Sequence, residues 1–280
     1  MSHELIMMAL EEDIGEGDVT SEYFVSEDRV ARAFVTVRKD GVVSGIGLAA
    51  EVFHEVDPNL EIQVMVEDGS KVGAGAMLMR VEGKARSILT AERTALNFLQ
   101  RLSGVATLTS RYVDLVKHTR AKILDTRKTT PGYRALEKKA VADGGGTNHR
   151  MGLFDRAMVK DNHLAAEGGL EALQQAIHLV KMEKPHVEVE LEADRLDQVA
   201  DFLRLDGVDY ILLDNMSLEE LRDAGEMRGE NHRVRLEASG GVNLETVVAI
   251  AETEVNFISV GALTHSAPAL DIGLDFVDLE

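Results

Sequence analysis

The runs KILDTRKTTPGYR (Lys122–Arg134), GGGTNHRMGLFD (Gly144–Asp155) and AMVKDNH (Ala157–His163) decide how the chain is read. An apolar strand at Ile123 and Leu124 runs into Arg127 and Lys128, and Pro131-Gly132 then turns the chain. The glycine triplet Gly144–Gly146 delivers His149 and Arg150, and a second apolar strand, Ala157–Val159, ends in Lys160. The formal charge of the whole chain is −19. Cationic side chains gathered at the ends of two strands and in one loop of such a chain predict a pocket for a small polyanion. Strand ends of α/β folds are where ligands bind. Solvated surface charges are the plain alternative, since most Lys and Arg are exposed.

Working outward, 280 residues suffice for one large or two medium domains with proper cores. No apolar run approaches the eighteen or so residues of a membrane span. The N-terminal residues Met1–Glu4 lack the cationic and apolar regions of a signal peptide. With no cysteine, disulfides, thiolate metal sites and a Cys nucleophile are excluded, which fits a cytoplasmic protein. The excess of 49 acids over 30 bases disfavours nucleic acid or an anionic membrane as partner. It fits a salt-rich host cytoplasm and good solubility equally well.

Upstream of the central stretch, the acidic, glycine-punctuated run Ala9–Ser21 reads as a short helix and a turn. It lacks the ligand spacing of an EF-hand. Alternation at Ala31, Ala33, Val35 and Val37 before Asp40-Gly41 predicts a strand and a hairpin turn. Gly47–Val56 reads as helix, and Ile62–Val66 and Met77–Val81 as further short strands of a small antiparallel sheet. Ala85–Lys117 reads as two helices separated at Ser103-Gly104. Arg93, among its core-seeking positions, reads from the pattern alone as a surface residue.

Downstream the rhythm is strand, helix, strand, with strands expected at 122–126, 157–160, 187–192, 208–214, 233–238 and 256–260. Ser217-Leu-Glu-Glu220 is a capping box for one intervening helix. Such alternation implies a parallel sheet with crossover helices. Six strands are too few for an eightfold barrel, so an incomplete or unusual α/β barrel is expected, with an open doubly wound sheet as alternative.

Active sites of parallel α/β folds assemble at the C-terminal strand ends. Here those ends carry Arg127 and Lys128, then Lys160, Asp161 and Asn162, then the strand-three acids Glu188, Glu190 and Glu192 on one face, then Asp214-Asn215, Glu237–Gly241 and Ser259–Gly261. Arg suits bidentate carboxylate and phosphate binding, and Lys acts as a point charge. Carboxylates on strands three and four suit Mg²⁺. Ser239-Gly240-Gly241, before a helix expected near Asn243, and Gly261 can present bare N–H groups to a phosphate. Phosphoribosyl diphosphate with an acidic base fits this inventory, and so does the substrate of a sugar-phosphate aldolase or epimerase.

The runs T-R-K-T-x-P-G-x-R (Thr126–Arg134), G-G-G-x-N-H-R-x-G-L-x-D (Gly144–Asp155) and K-D-N-H (Lys160–His163) closely resemble the quinolinate phosphoribosyltransferase family. So do E-D-x-G-x-G-D-x-T from Glu12, T-A-E-R-T-x-L-N (Thr90–Asn97), L-S-G-x-A-T (Leu102–Thr107), I-L-L-D-N (Ile211–Asn215), E-x-S-G-G (Glu237–Gly241) and V-G-A-L-T-H (Val260–His265). The resemblance implies transfer of phosphoribose from phosphoribosyl diphosphate to quinolinate with decarboxylation, dependent on Mg²⁺, in de novo NAD synthesis. It implies an incomplete parallel barrel of about six to seven strands over residues 116–266. An N-terminal α+β sandwich domain over 1–115, rejoined by the tail 267–280, would precede it. It also implies a homodimer or higher homo-oligomer with shared sites. Arg127, Lys128, His149, Arg150 and Lys160 would surround the quinolinate carboxylates, with Arg93 reaching in from a neighbouring subunit. Lys128 and Lys160 would also contact diphosphate or ribose. Asp214 and Glu192, the latter preferred over Glu190, would bind ribose hydroxyls or Mg²⁺, and Ser239, Gly240, Gly241 and Gly261 the 5′-phosphate. Two other enzyme readings stay open. One is a related enzyme acting on another base, and the other a barrel aldolase with Lys160 as Schiff-base lysine, which needs a lowered pKa. A non-enzymatic nucleotide-binding or phosphate-binding module is the reading from a different class.

Overall fold

A computed structural model describes residues 2–160, 169–230 and 233–277. Asp161, Asn162 and His163 of the K-D-N-H run lie outside the described residues. The chain divides into two compact units. One comprises Met1–Ser110, Ala135–Gly145 and Ala267–Glu280, and the other Arg111–Arg134 and Gly146–Ser266.

In the first unit a four-stranded antiparallel sheet is built from β1 (Val30–Val37), β3 (Glu61–Val64), β5 (Met77–Lys84) and β12 (Ile272–Val277), in the order β12-β1-β5-β3. The alternation read from the sequence is real: Ala31, Ala33, Val35 and Val37 are buried. No hairpin follows it at Asp40-Gly41. Both edges of β1 are occupied, by β12 and by β5. The next strand, β2 (Gly41–Val42), therefore pairs with β4 (Lys71–Val72). Asp40 instead accepts the amide of Ala74 at 2.9 Å. The helix Ile46–Val56 buries Ile46, Ala49, Val52 and Phe53, one apolar stripe at helical spacing.

The segment Ala85–Val116 is one uninterrupted helix rather than two. Ser103 and Gly104 do not break it, and both are explained by what approaches. The Ser103 hydroxyl accepts the amide of Ser44 at 3.0 Å and lies 3.2 Å from its carbonyl. A Cβ on Gly104 would come within 2.1 Å of the Pro268 carbonyl oxygen, so only glycine lets the returning tail lie against the helix. Ala135–Gly145, placed by the sequence reading in the barrel, groups with the first unit. Its buried Glu137 accepts from Arg101 at 2.7 Å, and Asp143 accepts from Ser44 at 2.6 Å.

The second unit is a six-stranded, all-parallel sheet. Its strands are β6 (Lys122–Leu124), β7 (Arg156–Val159), β8 (Glu188–Ala193), β9 (Tyr210–Asp214), β10 (Arg235–Ser239) and β11 (Phe257–Ser259), in the order β6-β11-β10-β9-β8-β7. A single parallel bridge, Leu124 to Thr147, extends the β6 edge. This is the incomplete α/β barrel expected from the strand count, with β6, β9, β10 and β11 a little shorter than expected and β7 and β8 shifted by one residue. Ser217 caps the helix Leu218–Arg228, and Glu220 returns to the Ser217 amide at 2.8 Å. The helix expected near Asn243 begins only at Val247. Asn243 first closes a turn by accepting the amides of Glu245 and Thr246.

Overpacking against backbone cannot be relieved by a rotamer change, so Gly104→Ala is predicted to lower unfolding free energy by about 1–3 kcal/mol. Gly47→Ala, with open space around the new methyl group, should leave stability unchanged or slightly higher. Denaturant titration of the two variants checks the pair, and equal stabilities would contradict the close approach.

Candidate active site

The C-terminal ends of the barrel strands surround a cleft of about 600 Å³. Its lining includes Arg127, Lys128, His149, Arg150, Lys160, Glu192, Asp214, Ser239, Gly240 and Gly241, most of the residues predicted for the site. Gly261 is adjacent, since a Cβ there would sit 3.1 Å from Cδ of Lys128. Arg93 is exposed on the long helix of the first unit and is not among the residues brought together.

The cationic wall is built by local bonding. Arg134 donates to the Thr129 hydroxyl at 2.9 Å and to the Met151 carbonyl at 3.1 Å, tying the loop after β6 to the loop before β7. Asp155 accepts the amides of Met151 and Gly152. Thr264 donates to the Lys128 carbonyl at 2.7 Å. Among the described residues neither Arg127 nor Lys128 has an ion-pair partner. Partial burial, and then the neighbouring charge of Arg127, lower the pKa of Arg150. Two guanidinium groups are thus held close in an otherwise acidic protein, an arrangement that a bound anion relieves. A more apolar cavity of about 720 Å³ shares Arg127, Arg150, Met158 and Lys160 with the cleft and adds Leu153, Leu173 and Phe202.

The acidic wall stands opposite on β8 and β9. Glu192 accepts from Lys160 at 2.5 Å and is partly exposed, and Asp214 accepts from the Asn215 side chain at 2.8 Å. Gly240 takes φ +97°, and a Cβ there would lie 2.1 Å from Oδ1 of Asn215, so the floor between β9 and β10 requires glycine.

His149 is placed differently from the other cations. It is only 8% exposed, and its Nε2 lies 3.3 Å from Glu190 and 3.4 Å from Glu237, both fully buried. Its backbone amide donates to buried Asp125 at 2.9 Å. Sequence reasoning gave no role to Glu237 or Asp125 and preferred Glu192 to Glu190. The alternating acids of β8 were the one available signal. Glu188 and Glu190 receive Arg156 of β7, and Glu192 receives Lys160, two residues further along. Burial opposes charge on His149, but hydrogen bonds and attraction from Glu190 and Glu237 outweigh it and raise its pKa to about 9. Burial likewise opposes the Glu190 carboxylate, which His149 and Arg156 hold below its ordinary range. Burial and then the charge of Glu190 push Glu237 up.

A folded-state pKa raised from 6.5 to about 9 contributes stability that is complete below about pH 6.5 and lost as pH rises through 9. The full shift corresponds to on the order of 3 kcal/mol. Urea unfolding at pH 8 and pH 10 should therefore show a loss in the wild type that is smaller in His149→Gln. Equal losses would remove His149 as its source.

Residues 18–103 match the model of the quinolinate phosphoribosyl transferase N-terminal domain, and 105–275 that of the C-terminal domain. The chain is 44% identical over 287 aligned positions to a mitochondrial quinolinate phosphoribosyltransferase [decarboxylating] of Nicotiana glauca, covering 97% of this chain and 81% of that one. It is 42% identical to the nicotinate-nucleotide pyrophosphorylase [carboxylating] of Mycobacterium leprae, covering 98% and 96%. The solved nicotinate-nucleotide pyrophosphorylase of Francisella tularensis superposes with a TM-score of 0.93 at 40% identity, over 99% of this chain and 96% of that one. With both domain models matched and whole-length relatives of this similarity, the chain belongs to the quinolinate phosphoribosyl transferase family.

Proposed function

We propose that the chain transfers the phosphoribosyl group of phosphoribosyl diphosphate to the ring nitrogen of quinolinate. The products are nicotinate mononucleotide, diphosphate and CO₂, a step of NAD biosynthesis. The carrying observation is the cationic wall around Arg127 and Arg150, facing Glu192, Asp214 and the Gly240-Gly241 turn across one cleft. Arg127, Lys128, Arg150 and Lys160, with His149 behind them, supply charge for two carboxylates on a pyridine. Ser239, Gly240, Gly241 and the neighbouring Gly261 suit the 5′-phosphate. Lys128 and Lys160 lie where they can also meet the diphosphate or the ribose.

Departure of diphosphate leaves an electron-poor ribosyl C1, which Glu192 and Asp214 stabilise by charge. The pyridine nitrogen forms its bond to C1, a step governed by positioning within the cleft. Once that nitrogen is quaternary, the bond from ring carbon 2 to its carboxylate breaks. The electron pair stays on the ring beside the positive nitrogen as CO₂ leaves, and ring carbon 2 then takes up a proton from water to give nicotinate mononucleotide. The cations must hold both carboxylates without stabilising the departing one more in the ground state than in the transition state.

Glu192 and Asp214 fit a Mg²⁺ held mainly through substrate, since Mg²⁺ commonly takes one or two protein carboxylates plus phosphate oxygens and waters. Among the described residues no further His, Asp or Glu joins them in a metal-sized group. Bound there, the ion would neutralise charge on the diphosphate. A homodimer or higher homo-oligomer would let Arg93 of one copy serve the cleft of another, consistent with its exposure here. No helix among the described residues is long and apolar enough to cross a membrane. The lack of cysteine supports a cytoplasmic location.

An assay with quinolinate, phosphoribosyl diphosphate and Mg²⁺ should yield nicotinate mononucleotide and CO₂ in equal amounts. Product without CO₂ would mean another base. Borohydride reduction that leaves a sugar phosphate covalently attached to Lys160 would favour the aldolase. Arg127→Ala and Arg150→Ala should each lose at least ~2 kcal/mol in kcat/KM for quinolinate, the cost of leaving a bound charge unmatched. Wild-type kinetics in both would refute the assignment.

A further inference from the structure

Among the described residues two non-glycine residues take a positive φ, Asn215 at 55° and Glu254 at 66°. Glu254 lies ahead of β11, at the end of the strands away from the cleft, whereas Asn215 lines the cleft. The left-handed region is unfavourable for most L residues. Glycine enters it freely, and Asn does so more readily than other residues with a side chain. Asn215 directly follows β9, where the chain turns toward the helix capped by Ser217. The backbone there would accept glycine, so what Asn adds is its side chain. Both ends of that side chain are engaged. Nδ2 donates to Oδ2 of Asp214 at 2.8 Å. Oδ1 lies over the Gly240 turn, where it would be 2.1 Å from a Cβ on that residue. The Asn215 backbone amide donates to the Ser239 carbonyl at 2.9 Å, just beyond the last β9–β10 pair, Asp214 with Ser239. One residue thus ties the acid at the end of β9 to the glycine floor after β10.

We propose that Asn215 is a positioning residue for phosphoribosyl diphosphate, which aims the Asp214 carboxylate at the ribose and holds the Ser239–Gly241 turn in place for the 5′-phosphate. A half-exposed carboxylate otherwise rotates about its side-chain bonds, and one fixed in advance has less freedom to lose when the ligand arrives. The same holds for the N–H groups of a glycine turn, which bind a phosphate only when they point at it. The identity of the ligand rests on the phosphoribosyl transfer proposed above. Quinolinate is assigned to the cationic wall across the cleft, so its binding lies outside the effect.

Calorimetric titration of the full chain with phosphoribosyl diphosphate and, separately, with quinolinate tests this in the wild type, Asn215→Gly and Asn215→Asp. Asn215→Gly keeps the left-handed backbone and removes only the side chain. It should unfold at the same urea concentration as the wild type and bind quinolinate unchanged. Its affinity for phosphoribosyl diphosphate should fall about 10-fold, the scale of one lost hydrogen bond to a charged group. Asn215→Asp keeps the shape but replaces the donor with a second negative charge beside Asp214, so its loss should be at least as large. In steady state both variants should show the change in the KM for phosphoribosyl diphosphate more than in kcat. Unchanged affinity for phosphoribosyl diphosphate in either folded variant overturns the proposal. An equal loss for both substrates does so too, since it marks general damage to the cleft. If Asn215→Gly does not fold, Asn215→Asp decides alone. A wild type that binds no phosphoribosyl diphosphate would reject the function proposed above, and this role for Asn215 with it.

Discussion

The structure depends on repulsion held in place. Arg127 stands close enough to Arg150 to lower the pKa of Arg150, and neither forms an ion pair among the described residues. A chain with formal charge −19 has carboxylates to spare for neutralising them. Glu190 and Asp155 only partly offset that repulsion at Arg150, and the loops that carry the two guanidinium groups are bonded in place. Arg134, Asp155 and Thr264 act on backbone, so the cationic side chains stay available to a ligand. Such preorganisation is set up at folding, before the anion arrives.

The acids are deployed by the alternation of a single strand. On β8, Glu188, Glu190 and Glu192 share a face, while Val189, Leu191 and Ala193 pack into the core behind it. Depth along that face separates three roles. Glu188 meets Arg156 and the Tyr210 hydroxyl near the strand starts. Glu190 is fully buried and faces His149, and Glu192 reaches the cleft and Lys160. One pattern of sequence thus yields a partner for Arg156, an interior residue and a cleft residue. The difference between them comes from position along the strand, with Glu190 sealed between two partly exposed neighbours.

That dependence marks what could be read in advance. The six parallel strands follow from short apolar runs ending in glycine or a charged residue, and the cationic residues of the cleft follow from their place at those ends and after the glycine triplet. The division at Ser103-Gly104 did not survive. Small residues in a helical pattern look like a break, and only Pro268, far along the chain, reveals that they make room for a neighbour. Glu237 was invisible as a partner of His149 for the same reason. An acid on a strand declares its face, whereas its burial is set by a loop that arrives from elsewhere in the barrel. Nor does the sequence say that β1 has both edges taken, which is why Asp40-Gly41 looks like a hairpin.

Charge-matched recognition makes a demand that a general anion site does not, because a second carboxylate on the base must add to binding. Calorimetric titration of the chain with quinolinate and with nicotinate, at one pH and one salt concentration, measures this directly. The account predicts that the dicarboxylate binds at least ~10-fold more tightly and weakens more steeply as salt is raised. Equal affinities, or a preference for the monocarboxylate, would contradict it.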